Sequence, residues 1–397
     1  MKKRLFVTIQ YLEIGGAERS LLGMLNAIDY SQWDVDLFVY EHRGEFMQFI
    51  PKEVHLLPEI SAYAAINRPM TTILRQGHLQ VLLARLLAKI QFARYRKNIK
   101  VKDSYAIFQY VADCVTPVLP SLKKFGKYDV AISYLTPHNI VRDKVLADKK
   151  YAWIHTDYNT VAVNTQKELP VWSSYDRIMA VSEDVRTSFI TSFPSLADKV
   201  CVFENILSPA FVREQAQLED VSSEMPRHEG ELIFCSVGRF TYQKNFESAP
   251  QICRLLKEKG LRFRWYLIGY GPDEALIKEN AAKEGVEDLC IVLGKKSNPY
   301  PYMAACDIYL QPSRYEGKAV TVREAQMLYK PVVISRFPTS AAQVEENIDG
   351  VIVPLDNEGF AEGLFLFAKD EKKRAEIADY LQQHDFGNEK EIEKLSD

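Results

Sequence analysis

The sequence predicts an α/β protein with two domains, each built around a parallel sheet covered by helices on both faces. Short apolar runs alternate with helical patterns through nearly all of the 397 residues. Such alternation is typical of parallel sheets connected by helices, and a chain of this length suits two domains of ordinary size. Residues 207–230 are Glu-rich and contain few apolar side chains, so they are predicted to be an exposed linker between the domains.

Twelve strands are predicted, each from a short apolar run. In the first half they cover residues 5–9, 35–40, 130–134, 151–155, 178–182 and 200–204. In the second half they cover residues 232–237, 265–269, 290–294, 308–311, 332–335 and 351–353. Ser182 is predicted to cap the helix that follows it. The domains are therefore expected at 1–206 and 231–380, followed by a polar tail at 381–397 that suits a frayed end.

The composition excludes several functional classes. Hydrophobic residues make up 47% of the chain and charged residues 26%, and the net charge of -3 gives no case for a nucleic-acid partner. The six cysteines have no paired spacing and mostly lie in apolar runs, as buried reduced thiols of a cytosolic protein do. No cluster of Cys and His predicts a metal site. The N-terminal segment superficially resembles a signal peptide, but Gln10 and Glu13 break its apolar run and no small-residue cleavage site follows, so it is expected to be the first buried strand. No apolar stretch approaches the length of a membrane-spanning helix.

The most informative stretch runs from Ser313 to Ala325 and carries two carboxylates, Glu316 and Glu324. Glu316 is predicted on the loop that leaves a parallel strand, and Glu324 inside the next helix. Ligands bind at the carboxyl end of such strands, the start of a helix suits a phosphate, and carboxylates accept hydrogen bonds from sugar hydroxyls. The pattern predicts a site for a sugar phosphate or a nucleotide sugar. The alternative is an acidic, solvated helix face.

Two glycines, Gly15 and Gly16, separate the first strand from a helical run. Glycine lets the backbone approach a ligand closely, and the helix start offers N–H donors to an anion. The string is not Gly-x-Gly-x-x-Gly, which disfavours a dehydrogenase. A tight turn without a ligand is the alternative.

Two further strand ends carry candidate groups. Gly238, Arg239 and Lys244 follow the first strand of the second domain, where a planar guanidinium and a compact ammonium suit a diphosphate; solvated loop cations are the alternative. His155 ends a buried strand in the first domain, where it faces either a ligand crevice or the core.

These motifs together resemble the retaining glycosyltransferases of family 4. The matching strings are Glu316-x7-Glu324, Gly-Gly-Ala-Glu-Arg from Gly15, and Gly238-Arg239 with Gln-Lys244. The resemblance implies the GT-B fold, in which two Rossmann-like domains turn their parallel sheets toward a central cleft. Enzymes of that fold usually return their last helix to the N-terminal domain, and the tail at 381–397 is a candidate for it.

The resemblance also implies residue roles. Glu316 lies by the donor sugar and its phosphate, Glu324 binds the ribose, Arg239 and Lys244 clamp the diphosphate, and His155 contacts the donor sugar near the reacting centre. The other implied donor-binding residues are Gly15, Gly16, Gly238, Asn205, Gly269, Gly271, Lys296, Gly317, Lys318, Ala319 and Val320. For Gly269, Gly271 and Lys296, structural roles remain open.

One departure concerns the donor sugar. Many members of the family carry Glu-Gly-Phe-Gly where this chain has Glu316-Gly317-Lys318-Ala319, a variant of the branch associated with bacterial surface polysaccharides. The implied reaction moves a hexose-type sugar from a UDP- or GDP-sugar to a glycan or lipid-linked oligosaccharide, with retention and without a metal or other cofactor. The alternatives are another GT-B enzyme, such as a nucleotide-sugar epimerase, and a non-catalytic sugar-nucleotide-binding subunit of a polysaccharide assembly complex.

The segment 68–102 is basic and contains a predicted amphipathic helix. No acidic residue lies between Glu59 and Asp103. Seven apolar residues share one face of that helix: Leu79, Leu82, Leu83, Leu86, Leu87, Ile90 and Ala93. Such a helix either adheres to an anionic membrane surface or packs its leucines on the first domain. We expect a cytoplasmic protein. If the helix adheres to the membrane, the protein is expected to be peripheral on the inner face of the cell membrane.

Overall fold

The computed structural model describes residues 2–13, 15–97, 105–316 and 319–395. The chain divides into two compact units. Unit 1 comprises Met1–Ile206 and Glu389–Asp397, and unit 2 comprises Leu207–Asn388. Gly317 and Lys318, two of the predicted donor-binding residues, lie outside the described residues.

Unit 1 contains a seven-stranded sheet in which every recorded strand pair is parallel. Its strands are β1 (Lys3–Ile9), β2 (Trp33–Val39), β3 (His55–Leu56), β4 (Lys127–Ser133), β5 (Leu146–Ile154), β6 (Arg177–Ala180) and β7 (Val200–Val202). Their spatial order is β3-β2-β1-β4-β5-β6-β7. The order reverses between β1 and β4, which is where parallel α/β sheets open a crevice at the carboxyl ends of their strands.

The α-helices of unit 1 are α1 (Gly16–Ala27), α2 (Ser61–Ala64), α3 (Met70–Arg75), α4 (Leu79–Arg96), α5 (Ala106–Val115), α6 (Asn139–Lys144), α7 (Thr165–Ser173) and α8 (Glu183–Ser192). Short 3-10 helices cover Glu45–Phe49, Thr116–Val118, Lys123–Phe125, Pro194–Lys199 and Glu389–Leu395. Ser182 caps α8 by accepting a hydrogen bond from the backbone N–H of Val185, which confirms the prediction. This cap also explains why β6 ends before Ser182.

Adjacent residues of the unit 1 strands point to opposite faces of the sheet, and both faces are buried. Phe6 and Phe38 belong to one apolar cluster, whereas their neighbours Val7 and Leu37 belong to another. Removing a large apolar side chain from water contributes about 1.5–3 kcal/mol. The two covered faces are the reason that these strands read as continuous apolar runs.

Unit 2 contains a six-stranded sheet, also parallel in every recorded pair. Its strands are β8 (Leu232–Arg239), β9 (Phe263–Tyr270), β10 (Cys290–Gly294), β11 (Ile308–Gln311), β12 (Val332–Ser335) and β13 (Val351–Val353), in the order β10-β9-β8-β11-β12-β13. The order reverses between β8 and β11. The second half of the chain therefore repeats the topological switch of the first.

The α-helices of unit 2 are α9 (Pro209–Ala216), α10 (Ala249–Glu258), α11 (Glu274–Glu284), α12 (Tyr300–Ala305), α13 (Val320–Met327), α14 (Ser340–Gln343), α15 (Asn357–Lys369) and α16 (Glu371–Gln383), with a 3-10 helix at Phe246–Ser248. The predicted α/β class with two parallel sheets is confirmed.

The segment 207–230, predicted to be an exposed linker, folds as part of unit 2. Ser208 caps α9, and three apolar side chains of the segment are buried in the unit 2 core: Val212, Val221 and Met225. The acidic residues between these positions dominate the composition. The prediction was wrong because three spaced apolar residues are enough to anchor a segment when a core lies beneath it.

The chain end is shared between the units. Leu381, on α16, is buried in the unit 2 core, so the first part of the predicted tail belongs to that unit. Residues 389–395 belong to unit 1, where Leu395 is buried against the sheet. The ammonium of Lys394 donates to the carbonyl of Val202 at 3.0 Å, and Glu391 accepts from the backbone N–H of Glu204 at 3.0 Å.

Helix α4 contacts unit 1 through small residues and Leu82, whereas its other leucines do not pack on the unit. Val81, Ala84 and Ala88 are buried. On the opposite side lie the exposed apolar residues Leu79, Leu83, Leu86, Leu87 and Ile90, each between 43% and 65% exposed. Except at Leu82, this arrangement contradicts the alternative in which the leucines pack on the domain. Among the described residues, no helix combines the length and the apolar character needed to cross a bilayer.

Candidate functional site

The predicted site residues fall into two groups, one at the carboxyl edge of each sheet. In unit 2 most of them lie at or after the ends of β8 and β11, the two strands that flank the switch in strand order. Because parallel strands end at the same edge, the loops after β8 and β11 are brought together there.

The carboxylate of Glu316 forms the centre of the unit 2 group. Its Oε1 accepts hydrogen bonds from the Nζ of Lys244 at 2.7 Å, the Oγ of Ser313 at 2.6 Å and the Nε2 of Gln311 at 3.2 Å. The Glu316 side chain is only 5% exposed, and that of Lys244 is 17% exposed. A carboxylate this deeply buried requires a paired cation and hydrogen-bond donors, and this one has both.

Arg239 and Lys244, at and after the end of β8, differ in their surroundings. Arg239 is the last residue of β8 and is exposed, whereas Lys244 is paired with Glu316. The group therefore combines one neutralised cation with one solvent-accessible cation, directly ahead of the eight-residue helix α13. The start of such a helix favours negative charge.

Glu324 lies inside α13, as predicted, and Glu316 lies on the loop before it. Glu324 is fully buried, and its Oε1 accepts a hydrogen bond from the hydroxyl of Tyr300 at 2.7 Å. A hydrogen bond to a charged group contributes about 1.5–3 kcal/mol. Tyr300 therefore holds the Glu324 carboxylate in a defined orientation.

Gly269 and Gly271 have structural roles that the geometry explains. A Cβ atom on Gly269 would lie 1.8 Å from the carbonyl oxygen of Gly238, and one on Gly271 would lie 2.2 Å from that of Phe240. The end of β9 is thereby able to run close beside the end of β8. A Cβ on Gly238 itself would stand 3.4 Å from the Cε of Lys244, an ordinary contact.

The other unit 2 candidates lie around this edge. Lys296 forms an ion pair with Glu224, and its ammonium lies 5.1 Å from the ring centroid of Tyr302. Ala319 is buried, and its N–H donates to the side-chain oxygen of Gln343 at 3.1 Å. Val320 is the first residue of α13.

The unit 1 group lies around the start of α1 and the ends of β4 and β5. Gly15 caps α1, and a Cβ there would lie 2.2 Å from a carboxylate oxygen of Glu18. Burial raises the pKa of Glu18. Around Gly16, by contrast, a Cβ would meet no heavy atom of the described chain within 4 Å. A side chain at Gly16 would thus enter open space, whereas one at Gly15 would meet the end of the flexible Glu18 side chain.

His155 directly follows β5 and donates from its Nε2 to the carbonyl of Tyr134 at 3.1 Å. A carbonyl only accepts, so the proton of the neutral ring is on Nε2 and Nδ1 carries the lone pair. Burial lowers the pKa of His155 to about 4. Near neutral pH this side chain is therefore an uncharged acceptor.

Asn205 belongs to the same region of unit 1. Its Oδ1 accepts from the hydroxyl of Ser20 at 2.6 Å, and the Ser20 oxygen lies 2.6 Å from the hydroxyl of Tyr134. Asn205, α1 and the strand end beside His155 are therefore joined by one hydrogen-bond network.

Sequence reasoning missed Gln311, Ser313 and Tyr300. For Gln311 and Ser313 a signal was present, because polar residues at the end of an apolar strand point to a site at the sheet edge. No local pattern marks Tyr300, whose partner lies 24 residues further along the chain. Among the described residues, no group of three or more His, Cys, Asp or Glu side chains is arranged to hold a metal ion.

The sequence has relatives among proteins of known or assigned role. Residues 219–384 match the family described as glycosyl transferases group 1. The amylovoran biosynthesis glycosyltransferase AmsK of Erwinia amylovora is 34% identical over 141 residues, which cover 34% of each chain. An N-acetylgalactosaminyltransferase of Campylobacter jejuni, named for a diphospho-undecaprenol-linked substrate, is 28% identical over 206 residues, covering 50% of this chain and 52% of that enzyme. The matches thus span about a third to a half of these relatives.

Solved structures match along nearly the whole chain. Anabaena HepE, in complex with UDP and glucose, is 16% identical with a TM-score of 0.62, covering 100% of this chain and 98% of its own. A glycosyltransferase from Rickettsia africae is 14% identical with a TM-score of 0.64, covering 100% and 97%. The chain therefore has the GT-B fold, and its residues 219–384 match the glycosyl transferases group 1 family.

Proposed function

We propose that the protein is a retaining hexosyltransferase, similar to family 4, that builds a bacterial surface polysaccharide from a nucleotide-sugar donor and a glycan acceptor. The observation that carries this proposal is the buried Lys244–Glu316 pair between the ends of β8 and β11. The pair lies at the switch point of a parallel sheet and ahead of α13, and this position supports assigning the carboxylate to sugar hydroxyls and the cation to phosphate. The polysaccharide-related names of relatives such as AmsK support the pathway.

In this proposal the donor binds along the edge of unit 2. Arg239 and Lys244 hold the diphosphate, Glu324 accepts from the ribose hydroxyls, and Glu316 orients the sugar. UDP is the preferred nucleotide, because a structure with the same fold contains UDP and glucose. The proposed donor-binding set also includes Gly238, Lys296, Gly317, Lys318, Ala319 and Val320 in unit 2, and Gly15, Gly16 and Asn205 in unit 1.

The reaction breaks the bond between the anomeric carbon and the diphosphate oxygen and forms one to an acceptor hydroxyl oxygen on the same face of the sugar. The departing phosphate takes the proton of that hydroxyl. Negative charge grows on the diphosphate as it leaves, so Arg239 and Lys244 stabilise the transition state more than the ground state. His155 would accept a hydrogen bond from the donor sugar through Nδ1. These cations supply the charge that a divalent metal would otherwise provide, so no metal is proposed.

The first test is a thermal-shift panel of UDP-, GDP-, ADP- and dTDP-sugars. A ligand that binds only the folded state stabilises it by about 2.7 kcal/mol at a hundred times its Kd. We expect a selective shift with UDP-sugars that is lost in Glu324→Ala and Lys244→Ala. The matched control, Lys278→Ala, removes an exposed lysine from α11 and should keep the shift. An absence of any shift, or an unchanged shift in both site variants, would refute the donor assignment.

We further propose that the acceptor is lipid-linked and that α4 holds the protein on the inner face of the cell membrane. The exposed residues Leu83 and Leu87 lie on the outer side of a helix that also exposes Lys89, Arg94 and Arg96. Apolar side chains enter the interface while the cations pair with anionic headgroups. The name of the Campylobacter relative, which includes a diphospho-undecaprenol, supports a lipid-linked acceptor.

Flotation with vesicles of phosphatidylcholine, with and without phosphatidylglycerol, tests this membrane proposal. Binding is expected only to the anionic vesicles and should weaken at high salt. The double variant Leu83→Gln/Leu87→Gln should abolish it while changing the free energy of unfolding by no more than about 0.5 kcal/mol. Leu366→Gln, at a residue of unit 2 that is 60% exposed, is the matched control. Failure of the wild-type protein to bind anionic vesicles at low salt would refute membrane attachment.

A further inference from the structure

Unit 1 contains a cavity of about 320 Å³ at the carboxyl edge of its sheet. Gln10 after β1, Thr136 after β4 and His155 after β5 line one side of it. Helix α5 contributes Phe108, and α7 contributes Glu168. The cavity therefore occupies the switch point between β1 and β4, where ligands bind in such sheets. Its volume is at the lower end of the range for small-molecule sites, about 300–1,000 Å³.

The walls of this cavity are largely aromatic. Phe108, Trp153, Tyr158 and Trp172 all line it. Trp172 and Phe189 are packed edge to face, with ring centroids 5.0 Å apart, which fixes the position of the indole. Fixed aromatic rings offer flat apolar surfaces, and the C–H face of a pyranose ring is flat and apolar too. The wall chemistry thus suits a sugar ring.

One ionisable acid lies among these rings. Glu168 is buried, and its Oε2 accepts hydrogen bonds from the hydroxyl of Tyr158 at 3.0 Å and from the indole N–H of Trp172 at 3.2 Å. In the described part of the chain, both recorded bonds fall on this one oxygen. The other oxygen, Oε1, therefore retains its capacity to accept a hydrogen bond from a ligand hydroxyl or acetamido N–H.

The cavity carries no balancing positive charge. Among the described residues that line it, none is Lys or Arg. Its two histidines are His138 and His155, and burial lowers their pKa values to about 3 and about 4. Near neutral pH both are uncharged, so they offer no cation to an anionic ligand. Burial raises the pKa of Glu168, which shows that this site already disfavours one negative charge and would disfavour a second. The cavity therefore differs from a phosphate site, in which cationic side chains face the ligand.

We propose that this cavity binds the terminal sugar of the acceptor and selects an uncharged sugar over a uronic acid or a sugar phosphate. Glu168 accepts a hydrogen bond from that sugar, and the aromatic walls cover its apolar face. This inference rests on the proposed transferase function, because it names the class of acceptor. A hydrogen-bonding site of this kind discriminates strongly, since a ligand that cannot pair with the buried group leaves it unsatisfied.

The test is saturation-transfer NMR of the full-length protein with two sets of methyl glycosides. The neutral set contains the glucoside, galactoside, mannoside and N-acetylglucosaminide, and the charged control is the methyl glucuronide, which matches the glucoside in shape. We expect transfer to at least one neutral glycoside and none to the glucuronide. Competition titrations then give the affinity of each variant.

Glu168→Gln is the informative variant. The amide oxygen still accepts from Tyr158 and Trp172, so the wall keeps its shape, but an NH₂ group replaces Oε1 and turns an acceptor into a donor. Affinity for the neutral glycoside should fall about tenfold, which corresponds to about 1.4 kcal/mol. Phe108→Ala, at an exposed position of α5, should weaken binding as well. Leu146→Ala, at the amino end of β5 and therefore at the other edge of the sheet, should not.

Three outcomes would overturn the proposal: equal binding of the glucuronide and the glucoside, unchanged affinity in Glu168→Gln and Phe108→Ala, or no transfer to any neutral glycoside. Binding of UDP, measured by thermal shift in the same samples, distinguishes a failure of the acceptor-site proposal from a failure of the transferase proposal. If UDP binds while the glycosides behave in one of these ways, only the acceptor assignment fails. If none of the UDP-, GDP-, ADP- and dTDP-sugars binds, the transferase assignment itself fails.

Discussion

The two sheets of this protein open their crevices at equivalent points of strand order, and the chemistry there differs. In unit 2 the loops after β8 and β11 meet through an ion pair, Lys244 with Glu316, and Arg239 is exposed nearby. In unit 1 the ends of β4 and β5 carry His155 in its neutral form beside aromatic walls. The same topology thus provides one edge suited to an anion and one suited to an uncharged ligand. Topology sets where a site lies, and the side chains on the loops set what it binds.

Replacing Lys244, at the charged edge of unit 2, should have the largest effect on both stability and activity. Lys244→Met leaves the buried Glu316 carboxylate unpaired, which costs about 3–5 kcal/mol of folding free energy. It also removes one group that stabilises the leaving diphosphate, so kcat should fall about 10²–10³-fold. Urea unfolding and initial rates of sugar transfer measure the two effects.

The double variant Lys244→Met/Glu316→Gln separates stability from catalysis. It removes both charges of the pair, so most of the lost stability should return while the activity stays low. A double variant that regains activity would show that the ion pair only supports the fold.

Tyr300→Phe should have a medium effect confined to the donor. It removes the hydroxyl that donates to Glu324 at 2.7 Å, and such a bond to a charged group contributes about 1.5–3 kcal/mol. We expect KM for the nucleotide sugar to rise about tenfold or more while kcat changes little. Tyr380→Phe, on α16, is the control and should leave KM unchanged. If kcat falls instead of KM rising, Glu324 acts in the chemical step rather than in donor binding.

The smallest expected effect concerns His155, at the uncharged edge of unit 1, and is a pH dependence of the free energy of unfolding. Burial lowers the pKa of His155 from 6.5 to about 4. As the pH falls below 6.5, the histidine is protonated in the unfolded chain before it is protonated in the folded one. The free energy of unfolding therefore decreases until the pH reaches about 4. Urea unfolding over this window should show a slope that becomes shallower in His155→Gln. Between about pH 5 and pH 8, the pH profile of kcat/KM should show no step caused by ionisation of His155. A step near pH 6.5 that disappears in His155→Gln would contradict the neutral state of this side chain.

Most of the fold could be predicted from the sequence because both sheets are buried on two faces. Such strands are continuous apolar runs, and twelve strands were placed from them. The strand at His55–Leu56 has only two residues and forms no run. The segment around α9 was misjudged because its anchoring residues, Val212 and Val221 among them, are sparse among acids.

The candidate site was predictable only in part. Strand ends and short motifs pointed to Glu316, Lys244 and His155, because a local pattern marks each of them. The partners that orient them come from elsewhere: Tyr300 reaches Glu324 across 24 residues, and the carbonyl of Tyr134 fixes the ring of His155 across 21. Contacts of this kind depend on tertiary packing, for which a single sequence contains no local signal. The outward direction of the α4 leucines was likewise open, since periodicity defines a stripe without saying which way it faces.

The return of residues 389–395 to unit 1 has a consequence for synthesis of the chain. Unit 1 obtains Leu395 for its core only after the 182 residues of unit 2, Leu207–Asn388, have been translated. At about 5–20 residues per second this takes roughly 10 to 40 s. During that interval the nascent first unit carries an uncovered apolar strip where Leu395 will dock. We therefore expect chaperones to bind the ribosome-bound chain in this interval, although unit 2 takes its core residues from one uninterrupted segment.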